Sequence, residues 1–318
     1  MNLFFLAAGL GTRFQPLTLK MPKPAIPFLN VPLGYYNFRF LSGLNKKIHS
    51  FVINTHYLPK QIENLYSKQK FLDQPPIFSN ELDSILGTAG GLKKAQPLFI
   101  PNEPIIMMNA DEILFTKNED FLSAALTQHK NNNSLATLVV MKHPEAGKKF
   151  GGIWCKDTSV KHIGKLDINP DLVPWHYVGI IILSWNVLNF IEADKEQNIF
   201  YDILINHLDK IEIFPIVADW FETGNQIDFL KATETVLQEL AQLEVKDEYK
   251  NILNFIEQTD PSELIKMNST LSLISKKHDL SKLDLYGFNV ISESATTLTK
   301  KPIRNSVLFF DETLISNY

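Results

Sequence analysis

The sequence predicts an α/β protein whose core is a doubly wound, mainly parallel sheet. Short apolar runs alternate with amphipathic helical stretches through the first two thirds of the 318 residues. The runs are continuous rather than polar-apolar alternating, as strands buried on both faces of a parallel sheet are. Strand, turn and helix recur in that order from the start of the chain, the pattern of layered βα units.

The elements follow in order. Residues 3–8 form a buried first strand. This run is apolar, stops at Gly9, lacks a basic flank and is too short to span a bilayer. Residues 50–55 (SFVINT) are the second strand, followed by a helix over 59–67. Residues 76–80 (PIFSN) are the third, with a helix over 91–98. Residues 105–110 (IIMMNA) and 135–141 (LATLVVM) flank a helix over 121–130. The rhythm then changes. Residues 151–155, 160–163 and 177–184 read as strands with little helix between them, which predicts an antiparallel flap on the sheet. Helices over 185–192 and 200–208, a strand over 211–217 and a long helix over 226–243 complete the first part. Beyond about residue 244 the chain is polar and lysine-rich, helical over 249–257 and β-like at 288–291 and 306–310. The expected division is a domain of residues 1–240 and a small helical plus short-β extension of residues 241–318.

Composition narrows the function. At 45% hydrophobic and 21% charged residues the chain can bury a substantial core. A formal net charge of −4 gives no broad electrostatic reason to bind nucleic acid or anionic lipid, so phosphate binding falls to local basic groups. The single cysteine, Cys155, excludes an internal disulfide, lies in an apolar strand and fits a cytoplasmic setting. Eight histidines show no paired metal spacing. His56, His143 and His176 fall near expected site loops. Met107 and Met108 read as sheet packing, and Lys148–Lys149 and Lys300–Lys301 as solvated surface.

The chemistry begins directly after the first strand, at Ala7-Ala8-Gly9-Leu10-Gly11-Thr12-Arg13. Backbone N–H groups in such a turn can point at phosphate oxygens, and Arg13 adds a permanent bidentate cation. Lys23 follows between two prolines that fix its path. A lone GxG would be no more than a βα turn. This one is not a dinucleotide fingerprint, because Phe14 stands where the third glycine belongs. Nor is it a Walker A loop, since no Gly-Lys-Ser/Thr follows.

Residues 6–28, LAAGLGTRFQPLTLKMPKPAIPF, resemble the signature of the sugar-1-phosphate nucleotidyltransferases, the NDP-sugar pyrophosphorylases. The resemblance continues through Leu86-Gly87-Thr88-Ala89-Gly90-Gly91, Asn109-Ala110-Asp111, Gly151-Gly152, Lys165, Tyr177-Val178-Gly179 and Trp220-Phe221-Glu222-Thr223-Gly224, covering roughly residues 1–235. It is nearest the mannose-1-phosphate guanylyltransferase and N-acetylmuramate-1-phosphate uridylyltransferase branches. Three positions depart from the family pattern. Gly164 replaces a glutamate before Lys165, Ala110 a glycine, and Glu222 a metal-binding aspartate.

The resemblance implies a Rossmann-like fold and transfer of a nucleoside monophosphate from an NTP to a sugar 1-phosphate, with Mg²⁺ as cofactor and pyrophosphate as leaving group. It implies catalytic roles for Arg13, Lys23 and Asp111, and metal binding by Asp111 and Glu222. It places Leu6, Ala8, Gly9, Gly11, Thr12, Glu81, Gly87 and Thr88 at the nucleotide, and Gly152, Lys165, Tyr177 and Gly179 at the sugar. Ser79 stands beside Glu81 as a second residue that could hold the base or close the turn. The expected partners are these small substrates, without nucleic acid or membrane. Many relatives carry a C-terminal left-handed β-helix, and residues 287–291 and 305–311 look like one or two worn coils of it. Val307, Leu308, Phe309 and Phe310 should then find cover on the catalytic domain or on a second subunit, the latter making a homo-oligomer. A second reading is a non-catalytic regulatory protein of the same fold, motivated by the altered metal and sugar positions. Retention of Arg13, Lys23 and Asp111 together favours the enzyme.

Overall fold

The computed structural model describes residues 1–167, 170–267, 270–296 and 302–315. Lys300 and Lys301 lie outside them. The chain divides into two compact units, each assembled from separate segments. Among the described residues no helix is long and apolar enough to cross a membrane.

The first unit comprises Met1–Leu10, Asn37–Ala110 and Asn118–Ala218. It holds a nine-stranded sheet in the order Pro76–Asn80, Ser50–Thr55, Asn2–Leu6, Ile105–Asn109, Val173–Leu183, Ala136–Met141, Ile211–Ile216, Ser159–Gly164, Gly152–Lys156. The first four strands are parallel, with Leu3 opposite both Phe51 and Ile106. The sheet as a whole is mixed rather than mainly parallel. Val173–Leu183 runs antiparallel to both Ile105–Asn109 and Ala136–Met141. It arrives from a hairpin without a crossover helix, and parallel neighbours need a crossover. The segments expected as a flap are therefore part of this sheet: Gly152–Lys156 pairs with both Ser159–Gly164 and the start of Val173–Leu183.

The apolar strand runs are buried. Phe4, Val52, Met107, Leu138 and Ile181 lie in one core cluster. Phe5, Phe51, Phe38 and Tyr66 pack together with ring centroids 5.0–6.3 Å apart. Helices occupy Pro59–Ser67, Gly87–Ala95 and Phe121–Asn131. The helices expected over 185–192 and 200–208 are instead a 3₁₀ turn, Trp185–Phe190, and a π turn, Ile199–Ile203, running into 3₁₀ turns that break at His207. Asn198 Oδ1 accepts from the N–H groups of Phe200 and Tyr201, and Asn198 N donates to Asp202 Oδ2 at 2.6 Å. These bonds cap the start of the segment, satisfying first-turn donors that have no partner within a helix, and the break itself falls at His207, where φ is −138°.

The second unit comprises Gly11–Tyr36, Asp111–Lys117 and Asp219–Tyr318. Its helix Gln226–Leu240 presents Phe229, fully buried, edge-on to both Phe14 and Phe28 at 5.5 Å. Tyr36 continues this aromatic core to Phe28, Phe115 and Phe255. A two-stranded ribbon pairs Ile113–Phe115 with Asp219–Phe221. A five-stranded sheet closes the unit. Its strands Thr270–Ser275, Leu285–Ile291 and Ile303–Phe309 are parallel neighbours, flanked antiparallel by Ser262–Met267 and Glu312–Ile315. Asn30 fastens the signature segment to it, donating to Ser262 Oγ at 2.9 Å and to the Ile291 carbonyl at 3.1 Å. Val307, Leu308 and Phe309 are buried, and Leu308 packs with Ile274, Ile291 and Ile303 of the same sheet. Phe310 is 48% exposed, because it takes a left-handed conformation (φ 49°) as the chain turns back into the last strand.

Two buried histidines make the first unit acid-sensitive. Burial holds His129 down at about 4, with Glu212 raising it and Lys130 lowering it by smaller amounts. Burial, and then His143, hold His176 down at about 4. Both stay neutral in the folded state while the unfolded chain protonates near pH 6.5. Their stabilisation is therefore complete above about pH 6.5 and lost as pH falls toward 4, on the order of 3 kcal/mol each. Denaturant melts should show stability falling across this window, and His129→Gln should flatten the slope. An unchanged slope in the variant would remove His129 from the account.

Candidate active site

The charged residues of the signature assemble in the second unit. Gly11 turns the chain in the left-handed region, and the 3₁₀ turn Thr12–Phe14 buries Phe14 while leaving Thr12 and Arg13 outward. Arg13 is 70% exposed and its Nη1 lies 3.7 Å from Glu222 Oε1. Glu222 Oε1 also accepts from Gly224 N at 2.7 Å. A side-chain carbon at Gly224 would collide with Glu222 Oε1 and stand 2.6 Å from Arg13 Nη2. Only glycine leaves room for this cation–carboxylate approach.

Lys23 begins the turn Lys23–Ala25 between Pro22 and Pro24, and its Nζ donates to Asp111 Oδ2 at 2.7 Å. Its side chain is 12% exposed and that of Asp111 34%, so the pair is partly shielded from water. Asp111 and Glu222 flank the ribbon, and Thr223 Oγ1 donates to the Asp111 carbonyl at 3.1 Å. Trp220 Nε1 donates to Glu112 Oε2 across the same ribbon at 2.7 Å. Thus Arg13, Lys23, Asp111 and Glu222, far apart in sequence, share one hydrogen-bonded frame. Thr223, Gly224 and the ribbon itself were not singled out from the sequence as parts of that frame.

Of the residues expected at the nucleotide, Leu6, Ala8, Gly9, Glu81, Gly87 and Thr88 lie in the first unit. Leu6 ends the first strand, and its carbonyl accepts from Ala110 N. Ala8 is buried, and Gly9 is exposed with nothing within 4 Å of where a Cβ would stand. Ala7 N donates to Asn54 Oδ1 at 2.8 Å, and Asn54 Nδ2 donates to Glu81 Oε1 at 2.7 Å. Glu81 Oε2 accepts from Leu86 N at 2.7 Å. Glu81 is 1% exposed with both oxygens engaged, so it ties the loops after three strands together rather than facing a ligand. Ser79 is also buried. Gly87 and Thr88 open the helix Gly87–Ala95 against residues 195–199. Ala89 N donates to the Gln197 carbonyl at 2.9 Å, and Ile199 N to Thr88 Oγ1 at 2.8 Å.

The residues expected at the sugar also lie in the first unit. Gly152 is buried and pairs with Gly164. Lys165 follows that strand, exposed, with no side-chain partner among the described residues. Tyr177 packs its ring on Phe200 at 4.9 Å. Gly179 sits at φ 82° where the strand slips register between Tyr177 and Ile181. His143 and His176 pack against Phe150. Burial raises the Cys155 thiol to about 11, so it is inert core at neutral pH.

Residues 4–239 match the nucleotidyl transferase family. The chain belongs to that family. The mannose-1-phosphate guanyltransferase of Yarrowia lipolytica is 30% identical to this chain over 244 residues, 74% of this chain and 64% of that protein. The chain thus spans just under two thirds of that relative's length. Among solved structures, a candidate glucose-1-phosphate thymidylyltransferase from Bacillus anthracis, in complex with sucrose, superposes with a TM-score of 0.62. It has 20% identity and covers 74% of this chain and 94% of its own. A UDP-glucose pyrophosphorylase complexed with UDP-glucose gives 0.60 at 16% identity, covering 75% of this chain and 98% of its own. The α/β fold of these nucleotidyltransferases is shared.

Gly224→Ala should displace Arg13 and Glu222 while sparing the core, since both colliding atoms end mobile side chains. The expected result is a melting temperature within about 2 °C of wild type with nucleotide affinity reduced roughly tenfold, one lost charge-assisted contact. Unchanged affinity by calorimetry would show that the Arg13–Glu222 approach plays no part in binding.

Proposed function

We propose that this chain transfers a nucleoside monophosphate from an NTP to a sugar 1-phosphate, releasing pyrophosphate. The observation that carries this reading is the Lys23–Asp111 pair beside the Arg13–Glu222 pair in one frame. A phosphate oxygen of the sugar 1-phosphate attacks the α-phosphorus, a new P–O bond forms and the bond to the β-phosphate oxygen breaks. Both reactants are anions, and a phosphate monoester needs no protein base, so the protein's work is positioning and charge neutralisation. The exposed Arg13 guanidinium suits the departing pyrophosphate. Lys23 exchanges its hold on Asp111 for the α-phosphate as charge shifts onto the bridging oxygen. Lys165 is a free cation for the sugar phosphate.

The donor set fits Mg²⁺. Asp111 and Glu222 are hard oxygen ligands, and Asp111 Oδ1 carries no hydrogen bond among the described residues. No group of three or more potential metal ligands occurs among the described residues, so phosphates and water would complete the shell, as this ion prefers. Bound there, the ion would screen the repulsion between the two anions. Leu6, Ala8, Gly9, Gly11 and Thr12 contribute backbone to the nucleotide; Glu81, Gly87 and Thr88 hold the shape of its surroundings; and Gly152, Tyr177 and Gly179 contribute to the sugar side. We further read the sheet as a divergent Rossmann-like, doubly wound layer, and the three parallel C-terminal strands as remnant β-helix coils of a C-terminal extension, residues 241–318.

A pyrophosphate-release assay with a panel of NTPs and sugar 1-phosphates tests the function. Turnover with at least one pair is expected, whereas binding without release would identify the regulatory alternative. In the active pair, Lys23→Ala should lower kcat by about two to four powers of ten with the fold retained. Near-normal turnover would exclude Lys23 from the chemistry. Asp111→Asn should abolish Mg²⁺-dependent turnover more completely than Glu222→Gln, because Glu222 is already engaged by Gly224 N and Arg13. A Mg²⁺ titration ranking the two variants the other way would reverse the assignment.

A further inference from the structure

Gly164, one of the departures from the family pattern, adopts φ 111°, a conformation closed to most side chains. A Cβ there would lie 3.2 Å from Tyr201 Cε1, and one at Gly151 would lie 3.5 Å from the Tyr201 hydroxyl. The phenol of Tyr201 therefore rests on the surface of these two glycines, on the strands that carry Gly152 and lead to Lys165. It is 56% exposed, so it is not there to fill a core. Its hydroxyl has no hydrogen-bond partner among the described residues.

The placement is rigid. Tyr201 belongs to the π turn Ile199–Ile203, whose backbone is capped by Asn198. The same turn is latched to the helix Gly87–Ala95 through Ile199 N and Thr88 Oγ1. The neighbouring Phe200 packs on Tyr177. A short segment thus holds one exposed aromatic ring with a free polar tip between the glycine surface and the nucleotide-side helix.

We propose that Tyr201 is a specificity-determining residue that reads one ring hydroxyl of a pyranose 1-phosphate lying against the Gly151–Gly164 surface. This rests on the function proposed above. The ring offers an apolar face to sugar C–H groups, and the hydroxyl both donates and accepts, which suits a neutral sugar hydroxyl. A side chain at position 164 would displace the ring, so glycine at 164 and tyrosine at 201 form one device.

The test compares wild type, Tyr201→Phe and Tyr201→Ala with the active sugar 1-phosphate and its monodeoxy analogues. Tyr201→Phe should raise the KM for the sugar 1-phosphate roughly five- to tenfold, the effect of one neutral hydrogen bond, and leave the KM for NTP and kcat unchanged. One deoxy analogue should be penalised similarly in wild type and not further penalised in Tyr201→Phe. Tyr201→Ala should weaken the sugar more. Equal KM values, a penalty that persists in Tyr201→Phe, or a shift in the NTP KM of the same size would overturn the proposal. If wild type turns over no pair, the proposed function fails by itself. Calorimetry with the same sugar 1-phosphates then decides Tyr201: weaker binding by Tyr201→Phe supports it, and no binding, or equal binding, overturns it.

Discussion

The charged frame of the second unit depends on the packing of Phe229 against Phe14 and Phe28. Arg13 precedes the first of these rings, and Lys23 lies between the two in sequence. Anchoring both ends of a loop on one buried aromatic ring fixes the loop without asking its polar residues to stabilise anything. Edge-to-face contacts are directional, so the ring sets orientation as well as distance. The polar side chains are then free to hold positions that favour chemistry over stability.

Those positions follow a simple electrostatic logic. Two cations each lie against a carboxylate, Lys23 on Asp111 and Arg13 on Glu222. Unpaired cations in a partly shielded place would repel each other and lose hydration. Paired, they are held in place, and under the proposed function a substrate phosphate oxygen competes for them. The exposed Arg13 pair is weak and easily exchanged, as surface ion pairs are. The Lys23 pair is the more shielded of the two and the more tightly oriented.

The sequence made much of this legible. The glycine loop after the first strand, the position of Lys23 and the four parallel strands follow from motif order and from continuous apolar runs. The ribbon bearing Asp111 and Glu222 was not legible, because strands of three residues, Ile113–Phe115 and Asp219–Phe221, are too short to show a period. Glu81 was expected at the nucleotide, to hold the base or close the turn, because it precedes Leu86-Gly87-Thr88. Its burial depends on Asn54, twenty-seven positions away, and no local pattern reports such a partner. Residues 200–208 carried a helical apolar rhythm, yet the backbone runs as a π turn into 3₁₀ turns and breaks at His207. Tyr201 gained its meaning only when Gly164 was found beneath it, since an exposed tyrosine in a polar stretch carries no signal of its own.

The second unit takes the earliest loop of the chain, Gly11–Tyr36, and completes it with residues from Asp219 onward. A ribosome delivers these parts in order, roughly two hundred residues apart. Until Phe229 emerges, Phe14 and Phe28 lack the ring that joins them and Phe28 has Tyr36 of its own segment, and until Ser262 and Ile291 emerge, Asn30 lacks its contacts with the closing sheet. Closing so long a loop costs chain entropy that is recovered only when the last third is present. Gly11–Tyr36 therefore consolidates only after Asp219 and the residues beyond it have been made. A nascent chain exposes its apolar rings through most of its synthesis, a period in which holding chaperones have something to hold. Interrupted translation would leave a product with the signature intact in sequence and unformed in space.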